Sequence, residues 1–212
     1  MRGLRAWHLL RDRGGCDGKV VGAGFPTRRK PTTASPRTVS CNSNSLRSLM
    51  SKPIFVVQLH DARRLHYDVR LEVDGVLKSW AVPRGPSLDP IVKRLAVFTT
   101  DHDLEYASYE GVHRDAQYGS GAVIVWDAGV YTNLTRDDRH QLVDPAEAIE
   151  RGHLKVQLHG VKLNGAWAFT RTGADWLLVK VKDADADPGL DLTVTEPRSV
   201  LSGLTIEEMA AS

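Results

Sequence analysis

Polar and apolar residues alternate with a period of two along residues 63–72, RRLHYDVRLE. The apolar positions are Leu65, Tyr67, Val69 and Leu71, and the polar positions are His66, Asp68, Arg70 and Glu72. This period is typical of a β-strand with one buried face. Side chains two residues apart point to the same side of a strand, so the polar groups would form a row with steps of roughly 6.6–6.8 Å. That row either faces solvent or binds a ligand.

Similar patterns recur along the chain and predict about eight strands. They cover residues 54–59, 64–73, 76–82, 94–100, 121–127, 153–163, 166–171 and 176–183. Asp74-Gly75 between two alternating runs is a strong signal for a tight hairpin, and Asn164-Gly165 predicts a second turn. A third turn is expected in TGAD, residues 172–175. Many short strands joined by short turns are typical of an antiparallel barrel or sandwich, and we expect a mainly β protein that forms a barrel.

One or two short helices complete the predicted fold. The first has Asp144 as its N-cap, Pro145 at the first helical position and Gly152 as its stop signal. A capping box formed by Thr205 and Glu208 opens the second helix.

The composition of the chain changes sharply at residue 50. Residues 1–50 contain ten Lys and Arg against two Asp, a charge of about +8, whereas the whole chain has a net charge of +2. The segment lacks periodicity and is rich in Gly, Ser, Thr, Pro and Arg, so we predict a disordered basic tail ahead of one folded domain, residues 51–212. Three interpretations remain open: a nucleic-acid-binding arm, a transit peptide, or sequence that is not translated because synthesis starts at Met50. The third is favoured, since the strand pattern begins directly after Met50.

Composition also excludes several classes of protein. Both cysteines, Cys16 and Cys41, lie in the predicted tail, so the folded part can have neither a disulfide framework nor a thiolate zinc site. The sequence has no apolar run of about 18 residues and no apolar segment typical of a secretory signal. We therefore expect a cytoplasmic protein with no membrane partner.

His60, His66 and Asp68 are the candidate metal ligands. Histidine and aspartate suit divalent transition metals, and the DARR segment after His60 would turn the chain back so that His60 lies beside the other two. Three protein ligands leave positions open for water and substrate, as in catalytic sites. The alternative is that both histidines are solvated.

Several nearby side chains are suited to bind a phosphate or carboxylate group. The candidates are Arg70, Arg84, Arg94, His102 and Tyr106. Arginine pairs well with such oxyanions. Asp101 and Asp103 flank His102, and we expect these acids to raise its pKa. The remaining histidines of the folded part have no obvious partners and are interpreted as surface residues: His113, His140, His153 and His159.

Three longer segments carry a resemblance to a known family. They are FVVQLHDARRLHYDVRLEVDGVLKSWAVPRGPSLDP from residue 55, KRLAVFTTDHDLEYASYEG from residue 93, and YGSGAVIVWD from residue 118. These segments resemble the 3′-phosphoesterase domain of bacterial DNA ligase D and its stand-alone bacterial and archaeal relatives. The resemblance extends over about residues 54–209, and the long motif LHDARRLHYDVRLE is specific.

The resemblance implies a small β-barrel that processes DNA 3′ ends in repair by end joining. Members of the family remove a 3′-terminal ribonucleotide and then the remaining 3′-phosphate, which leaves a 3′-hydroxyl, and they prefer Mn²⁺. Matched residue by residue, the implied metal ligands are His60, His66 and Asp68, the implied catalytic residues are Arg70, Arg94, His102 and Tyr106, and the implied substrate-binding residue is Arg84, which is Lys in many members. The implied partners are DNA 3′ ends of primer–templates and an end-joining ligase, a polymerase or a Ku-type protein.

Two features depart from the family pattern. The Arg-Asp-Phe…Thr-Pro-Glu-Pro segment that often precedes the first strand is not found in residues 1–53, and Gln117 replaces a common Glu. We therefore expect removal of the ribonucleotide to be slower than removal of the phosphate. Two other functions remain as alternatives: a non-haem iron oxygenase, whose facial triad also combines two His with one carboxylate, and a non-catalytic DNA-end-binding module.

Overall fold

The computed structural model describes residues 52–113 and 120–212. The predicted tail and Gln117 lie outside these residues. The described part of the chain is mainly β, as the sequence pattern predicts. No helix in the described ranges is long and apolar enough to cross a membrane.

Ten strands and three short α-helices form the described part of the protein. The strands are β1 (Ile54–Asp61), β2 (Leu65–Val73), β3 (Val76–Val82), β4 (Arg94–Phe98), β5 (His102–Asp103), β6 (Gly111–His113), β7 (Gly121–Asn133), β8 (His153–Gly160), β9 (Asn164–Thr172) and β10 (Asp175–Lys180). The helices are α1 (Pro145–Arg151), α2 (Leu192–Thr195) and α3 (Ile206–Ala210), and a 3₁₀ helix covers Leu104–Ser108.

Eight of these strands close into an antiparallel barrel. Their order around the ring is β1, β2, β3, β4, β10, β9, β8 and β7, and β7 pairs again with β1. These eight strands are the ones that the sequence pattern predicts. The two short strands that it does not predict lie outside the ring, where β5 pairs with β3 and β6 pairs with β7.

Alternation along each strand places every second side chain inside the barrel. In β2, the buried residues Tyr67, Val69 and Leu71 belong to a core cluster that also contains Trp80 and Trp126. Burial of large apolar side chains is the dominant favourable term in folding. The apolar face of β2 therefore fixes the direction of its polar face, because a shift of one residue would exchange the two faces.

The hairpin between β2 and β3 has the predicted turn. Asp74 and Gly75 have φ angles of 53° and 79°. A type I′ turn requires positive φ at both central positions, which explains why Asp-Gly is a reliable signal. The turn predicted in residues 172–175 is also confirmed, since β9 ends at Thr172 and β10 begins at Asp175.

The turn predicted at Asn164-Gly165 is wrong by a few residues. Both residues belong to β9, and the loop is formed by residues 161–163. The buried carboxylate of Asp127 accepts hydrogen bonds from the backbone N–H groups of all three loop residues, at 2.8–3.0 Å. This contact with a distant strand, rather than the local Asn-Gly signal, determines where the chain turns.

Both predicted helices are confirmed, and a third is present. In α1, Asp144 accepts a hydrogen bond from the N–H of Ala146, and Gly152 ends the helix with a φ of 82°. In α3, Thr205 and Glu208 form the predicted capping box. The four-residue helix α2 was not predicted from the sequence.

Residues 99–113 leave the barrel after β4 and cover part of its outer face. This covering segment contains β5, the 3₁₀ helix and β6. Its Ala107 packs with Val56, Leu77 and other residues in a second, smaller apolar cluster. The polar face of β2 is consequently not a solvent face, because Asp68 and Arg70 are only 7% and 3% exposed.

Gly121 allows the start of β7 to pass close to the end of β1. Its φ is 139°, and a Cβ atom there would lie 1.8 Å from the carbonyl oxygen of Asp61. We expect Gly121→Ala to lower the free energy of unfolding by about 2–5 kcal/mol, since the backbone angle and the clash are both unfavourable. Chemical denaturation would measure the loss.

Gly173→Ala is the matched control for this prediction. Gly173 also has a positive φ of 67°, but no atom lies within 4 Å of the added Cβ position. We expect this substitution to cost about 1 kcal/mol through the backbone angle alone. Equal losses for the two variants would contradict a role for the close approach at Gly121.

Candidate metal centre

The antiparallel register of β1 and β2 brings the predicted metal ligands together. His60 lies directly opposite His66, and Gln58 lies opposite Asp68. The residues that alternate with these four along β1 and β2 belong to the barrel core. The four side chains therefore point to the outer face of the barrel.

His60, His66 and Asp68 each present one ligand atom, and the three atoms lie within 4.8 Å of one another. His66 Nε2 is 3.5 Å from Asp68 Oδ1, and His60 Nδ1 is 4.0 Å from Asp68 Oδ2. His66 Nδ1 donates a hydrogen bond to the carbonyl oxygen of Arg64 at 2.9 Å. Because a carbonyl oxygen only accepts, Nδ1 carries a hydrogen and Nε2 is the nitrogen that remains to bind an ion.

These three side chains fit a divalent transition metal. Two imidazole nitrogens and one carboxylate oxygen are suitable ligands, and such a set leaves coordination positions for water or substrate oxygens. A ligating histidine is usually oriented by a hydrogen bond from its other ring nitrogen, for example to a backbone carbonyl. The side chains of His60 and His66 are 12% and 20% exposed, so the set can be reached from solvent.

The charges in the cluster keep Asp68 ionised. Burial by itself would raise the pKa of this carboxyl group, but the hydrogen bond from His66 and the positive charges of Arg70, His66 and His60 together lower it. The same contact with Asp68 raises the pKa of His66 against the opposing effect of burial. At neutral pH the carboxylate is therefore available to bind a cation.

Arg70 holds Asp68 in place through a network of hydrogen bonds. Its Nη2 donates to Asp68 Oδ2 at 2.9 Å, and its Nε donates to Gln58 Oε1 at 2.8 Å. Its Nη1 donates to Ser79 Oγ at 2.8 Å and to His102 Nδ1 at 2.9 Å. A guanidinium has five N–H groups, so one N–H on Nη2 has no partner among the described residues.

His102 is brought to the centre by β5, a short strand that the sequence pattern does not predict. β4 ends at Phe98, and β5 then places His102 opposite Leu77 of β3. Burial and the positive charge of Arg70 lower the pKa of His102 and outweigh the opposite effect of Asp101. The prediction of a raised pKa is wrong, and the imidazole is neutral at neutral pH.

Two groups compete for His102 Nδ1. The guanidinium of Arg70, which can only donate, and the carbonyl oxygen of Thr100, which can only accept, both lie 2.9 Å from this nitrogen. In the neutral ring that accepts from Arg70, Nδ1 carries no hydrogen. The ring hydrogen then lies on Nε2.

His113 belongs to the centre, and its interpretation as a surface residue is wrong. Its Nε2 is 2.9 Å from the hydroxyl of Tyr106, and its Nδ1 is 3.4 Å from the hydroxyl of Tyr109. The three rings are stacked, and the ring centroid of His113 lies 6.4 Å from that of His60. The pairing of β6 with β7 produces this position, and no local sequence signal marks it.

Gln58 is a second residue that the sequence analysis missed. Its side-chain nitrogen donates to the carbonyl oxygens of Tyr106 and Tyr109 at 3.0 Å each, while its oxygen accepts from Arg70. Gln58 therefore connects the barrel to the covering segment. Its position two residues before His60, on the same face of β1, is the signal that could have identified it.

Arg84 and Arg94 are not joined to this cluster. Arg84 is exposed in the turn after β3, and Arg94 begins β4 opposite Leu178 of β10. Neither side chain forms a hydrogen bond or an ion pair with another described residue, and Arg94 Nε is buried without a partner among them. Their predicted roles in substrate binding and catalysis stay predictions.

The contact between His66 and Asp68 makes the stability of the metal-free protein depend on pH. A histidine whose pKa is raised by folding contributes stability below its unfolded pKa and loses that contribution as the pH rises through its folded pKa. In EDTA we expect the melting temperature to fall as the pH rises above about 6.5. The lowered pKa of Asp68 acts at the acid end, where its contribution is lost as the pH falls through the folded pKa.

In His66→Ala, the melting temperature in EDTA should no longer fall as the pH rises above about 6.5. A uniform lowering of the melting temperature at every pH would not affect this test. His153→Ala is the control, because His153 is exposed on β8 and lies outside the cluster. Thermal melts across the pH range in EDTA would compare the slopes. A decline that is the same in His66→Ala as in the unmodified chain would contradict the assignment.

Comparison with known proteins places this cluster in a family. The sequence model of the DNA ligase D 3′-phosphoesterase domain matches residues 58–171. The multifunctional non-homologous end joining protein LigD of Pseudomonas aeruginosa is 50% identical over 159 residues, which are 72% of this chain and 18% of the relative. The multifunctional non-homologous end joining DNA repair protein LigD of Mycobacterium tuberculosis is 46% identical over 131 residues, 61% of this chain and 16% of the relative. LigD of Mycolicibacterium smegmatis is 42% identical over 130 residues, 61% of this chain and 17% of the relative.

The chain spans less than a fifth of the length of these relatives. The match nevertheless covers more than half of this chain, and it includes every predicted site residue from His60 to Tyr106. The fold, the ligand cluster and the sequence match therefore agree, and the chain belongs to the DNA ligase D 3′-phosphoesterase domain family.

Proposed function

We propose that the protein is a metal-dependent phosphoesterase that removes a 3′-terminal ribonucleoside and a 3′-phosphate from DNA, leaving a 3′-hydroxyl, in end-joining repair. The observation that carries this proposal is the cluster of His60, His66 and Asp68 beside Arg70, in a chain of this family. A cation site next to an arginine is suited to a phosphate group, whose oxygens need positive charge on more than one side.

His60, His66 and Asp68 would hold the ion, and we propose Mn²⁺. When bound, the ion would supply Lewis-acid polarisation of a phosphoryl oxygen. Asp68 contributes the negative charge that favours cation binding, and the hydrogen bond from Arg70 keeps the carboxylate from rotating. The carbonyl of Arg64 keeps His66 in the tautomer whose Nε2 faces the other ligands.

Arg70 has two roles in the proposed reaction. Four of its N–H groups position Asp68, His102 and their neighbours, and the fifth would donate a charge-assisted hydrogen bond to a phosphate oxygen. Arg94 and Arg84, whose donors have no partners among the described residues, would neutralise further charge that develops on the phosphoryl group.

His102 would donate a hydrogen bond from its Nε2 to the leaving oxygen. Its lowered pKa makes it a neutral donor rather than the cation that flanking acids would favour. Tyr106 positions both neighbours, since its ring lies 5.0 Å from that of His102 and 5.1 Å from the guanidinium carbon of Arg70. The hydrogen bond with His113 fixes the Tyr106 hydroxyl in turn.

DNA 3′ ends of primer–templates, with or without a terminal ribonucleotide, are the proposed substrates. The names of the relatives refer to non-homologous end joining, which supports a role at DNA ends. An end-joining ligase, a polymerase or a Ku-type protein as partner, and the cytoplasm as location, belong to the same proposal. Membership of a phosphoesterase family argues against the non-haem iron oxygenase. The non-catalytic DNA-end-binding module is the alternative that the first assay below tests.

His66→Ala should abolish removal of a 3′-phosphate from a primer in the presence of Mn²⁺. Loss of a metal ligand removes several kcal/mol of transition-state stabilisation, so we expect the rate to fall about 100-fold or more. Gel analysis of the primer would measure the rate, with His153→Ala as the active control and EDTA as the inactive one. Full activity of His66→Ala, or full activity in EDTA, would contradict the proposal. An unmodified chain that binds the DNA without turnover would favour the non-catalytic module.

Removal of a single 3′-ribonucleotide should be slower than removal of a 3′-phosphate. A terminal phosphate is a compact dianion that the ion and the arginines can hold with little help, whereas a diester has one charge fewer and needs additional contacts to place the ribose. The segment that often precedes the first strand in the family would provide such contacts, and residues 1–53 lack its motif. Initial rates on the two primers, at equal Mn²⁺ and salt, test this expectation. If the ribonucleotide leaves as fast as the phosphate, other residues position the ribose.

A further inference from the structure

Five basic residues lie at one end of strands β1–β4, beside the metal centre. We call this set the basic rim, and it consists of Arg63, Arg64, Arg84, Lys93 and Arg94. The first two form the turn between β1 and β2, the next two lie in the connection from β3 to β4, and Arg94 begins β4. None of the five is a predicted metal ligand.

Strand pairing places these two connections side by side. Tyr67 lies opposite Val82, so the residues just before Tyr67 neighbour those just after Val82. Ala81 lies opposite Val97, which brings the start of β4 to the same end of the barrel. Arg64 is two residues from His66, a distance of about 7 Å along a strand. The rim therefore begins directly beside the metal centre.

The rim cations are not paired with acids in the described residues, a property that they share with Lys52, Arg139, Lys155 and Lys182. Four ion pairs outside the metal centre neutralise other Lys and Arg residues: Lys78 with Asp101, Arg151 with Glu147, Lys180 with Asp183, and Arg198 with Glu208. Within the described ranges, the rim side chains form no hydrogen bond or ion pair, and Arg94 Nε is in addition buried. A buried donor without a partner is unfavourable, so a ligand that brings an acceptor to Arg94 would be favoured.

The opposite side of the centre has the opposite charge. There the covering segment carries Asp101, Asp103 and Glu105, which line a cavity of about 480 Å³ together with His102, Tyr106 and Tyr109. Only Asp101 of these three acids is paired with a cation in the described structure. The five rim cations thus lie on one side of the centre and these three acids on the other, although Asp61 and Asp89 also lie in or beside the rim segments. This arrangement would orient a polyanion toward the rim cations.

We infer that Arg63, Arg64 and Lys93 of the basic rim bind the phosphate backbone of the duplex behind the 3′ end, while Arg84 and Arg94 continue the rim toward the reacting phosphate. The DNA strand then enters the metal centre across the turn between β1 and β2. The inference rests on the proposed function for the identity of the ligand. Duplex DNA carries one negative charge per roughly 1.7 Å of helix axis, so several rim cations meet phosphates at the same time. These contacts position the strand and contribute affinity without reading its sequence.

The salt dependence of DNA binding by the full chain tests this inference. The ligand is a primer–template that ends in a 3′-hydroxyl, the expected product, so that no turnover occurs in Mn²⁺. The variant combines Arg63→Gln, Arg64→Gln and Lys93→Gln, three exposed side chains outside the predicted catalytic set. Each lost phosphate contact lowers the slope of log K against log salt by about 0.9, so three should lower it by about 2.7. When the salt concentration rises from 50 to 200 mM, both proteins should lose affinity for the DNA. The fold-loss of the unmodified chain should be about 40 times that of the variant.

Two single variants serve as controls. Arg139→Gln removes an exposed cation from the segment between β7 and α1, and Glu105→Gln removes an anion from the acidic side. Both should keep the slope of the unmodified chain, and residues 1–51 are the same in every protein that is compared. A triple variant with an unchanged slope, an equal reduction in Arg139→Gln, or a change confined to Glu105→Gln would each overturn the inference.

Failure of the proposed function would be seen in a different measurement. It would appear as an unmodified chain that removes no 3′-phosphate in Mn²⁺, while the binding slopes could still be compared. Conversely, an unmodified chain that removes the phosphate, together with a triple variant of unchanged slope, would overturn the basic rim and leave the proposed function standing. Thermal melts of each variant would confirm that the exposed substitutions leave the fold intact.

Discussion

The ion pair between Asp68 and Arg70 is the constraint on which the metal centre depends. Both side chains lie on the outer face of β2 under the covering segment, and both are almost completely buried. Removing one partner of such a pair leaves an uncompensated buried charge, which costs about 3–5 kcal/mol. Arg70 needs further acceptors for its remaining N–H groups, so the same pair also fixes Gln58, Ser79 and His102. One buried charge thus organises residues from four segments of the chain.

The barrel core and the centre are two consequences of one strand pattern. Val69 and Leu71 are buried inside the barrel because they are apolar, and Asp68 and Arg70 are therefore on the outside. A register shift of one residue would place the two charged side chains in the core. The free-energy cost of burying them there would exceed the free energy of unfolding of a typical domain. The register that puts His60 opposite His66 is consequently protected by the packing of residues that take no part in chemistry.

Local pattern predicted the eight barrel strands and the ligand cluster, because strand period and a short turn after His60 are sufficient to bring His60 and His66 together. Features that depend on contacts distant in sequence could not be predicted in the same way. The acids beside His102 in sequence suggested a raised pKa, but burial and the positive charge of Arg70, 32 residues away in the chain, have the larger effect and lower it. The position of His113 depends likewise on the pairing of β6 with β7, which has no local signal.

The competition between a proton and a metal ion for His66 Nε2 connects the stability of the centre to its proposed activity. Without an ion, the protonated ring and the carboxylate of Asp68 form a favourable pair, which is why the pKa of His66 is raised. A metal ion binds the unprotonated nitrogen, so its binding must displace this proton and becomes weaker as the pH falls. The hydrogen bond from Nδ1 to the carbonyl of Arg64 is compatible with either a proton or an ion on Nε2, so the ring need not turn when one replaces the other. Arg70 holds Asp68 in place without an ion, so the candidate ligand set is already organised in the metal-free protein.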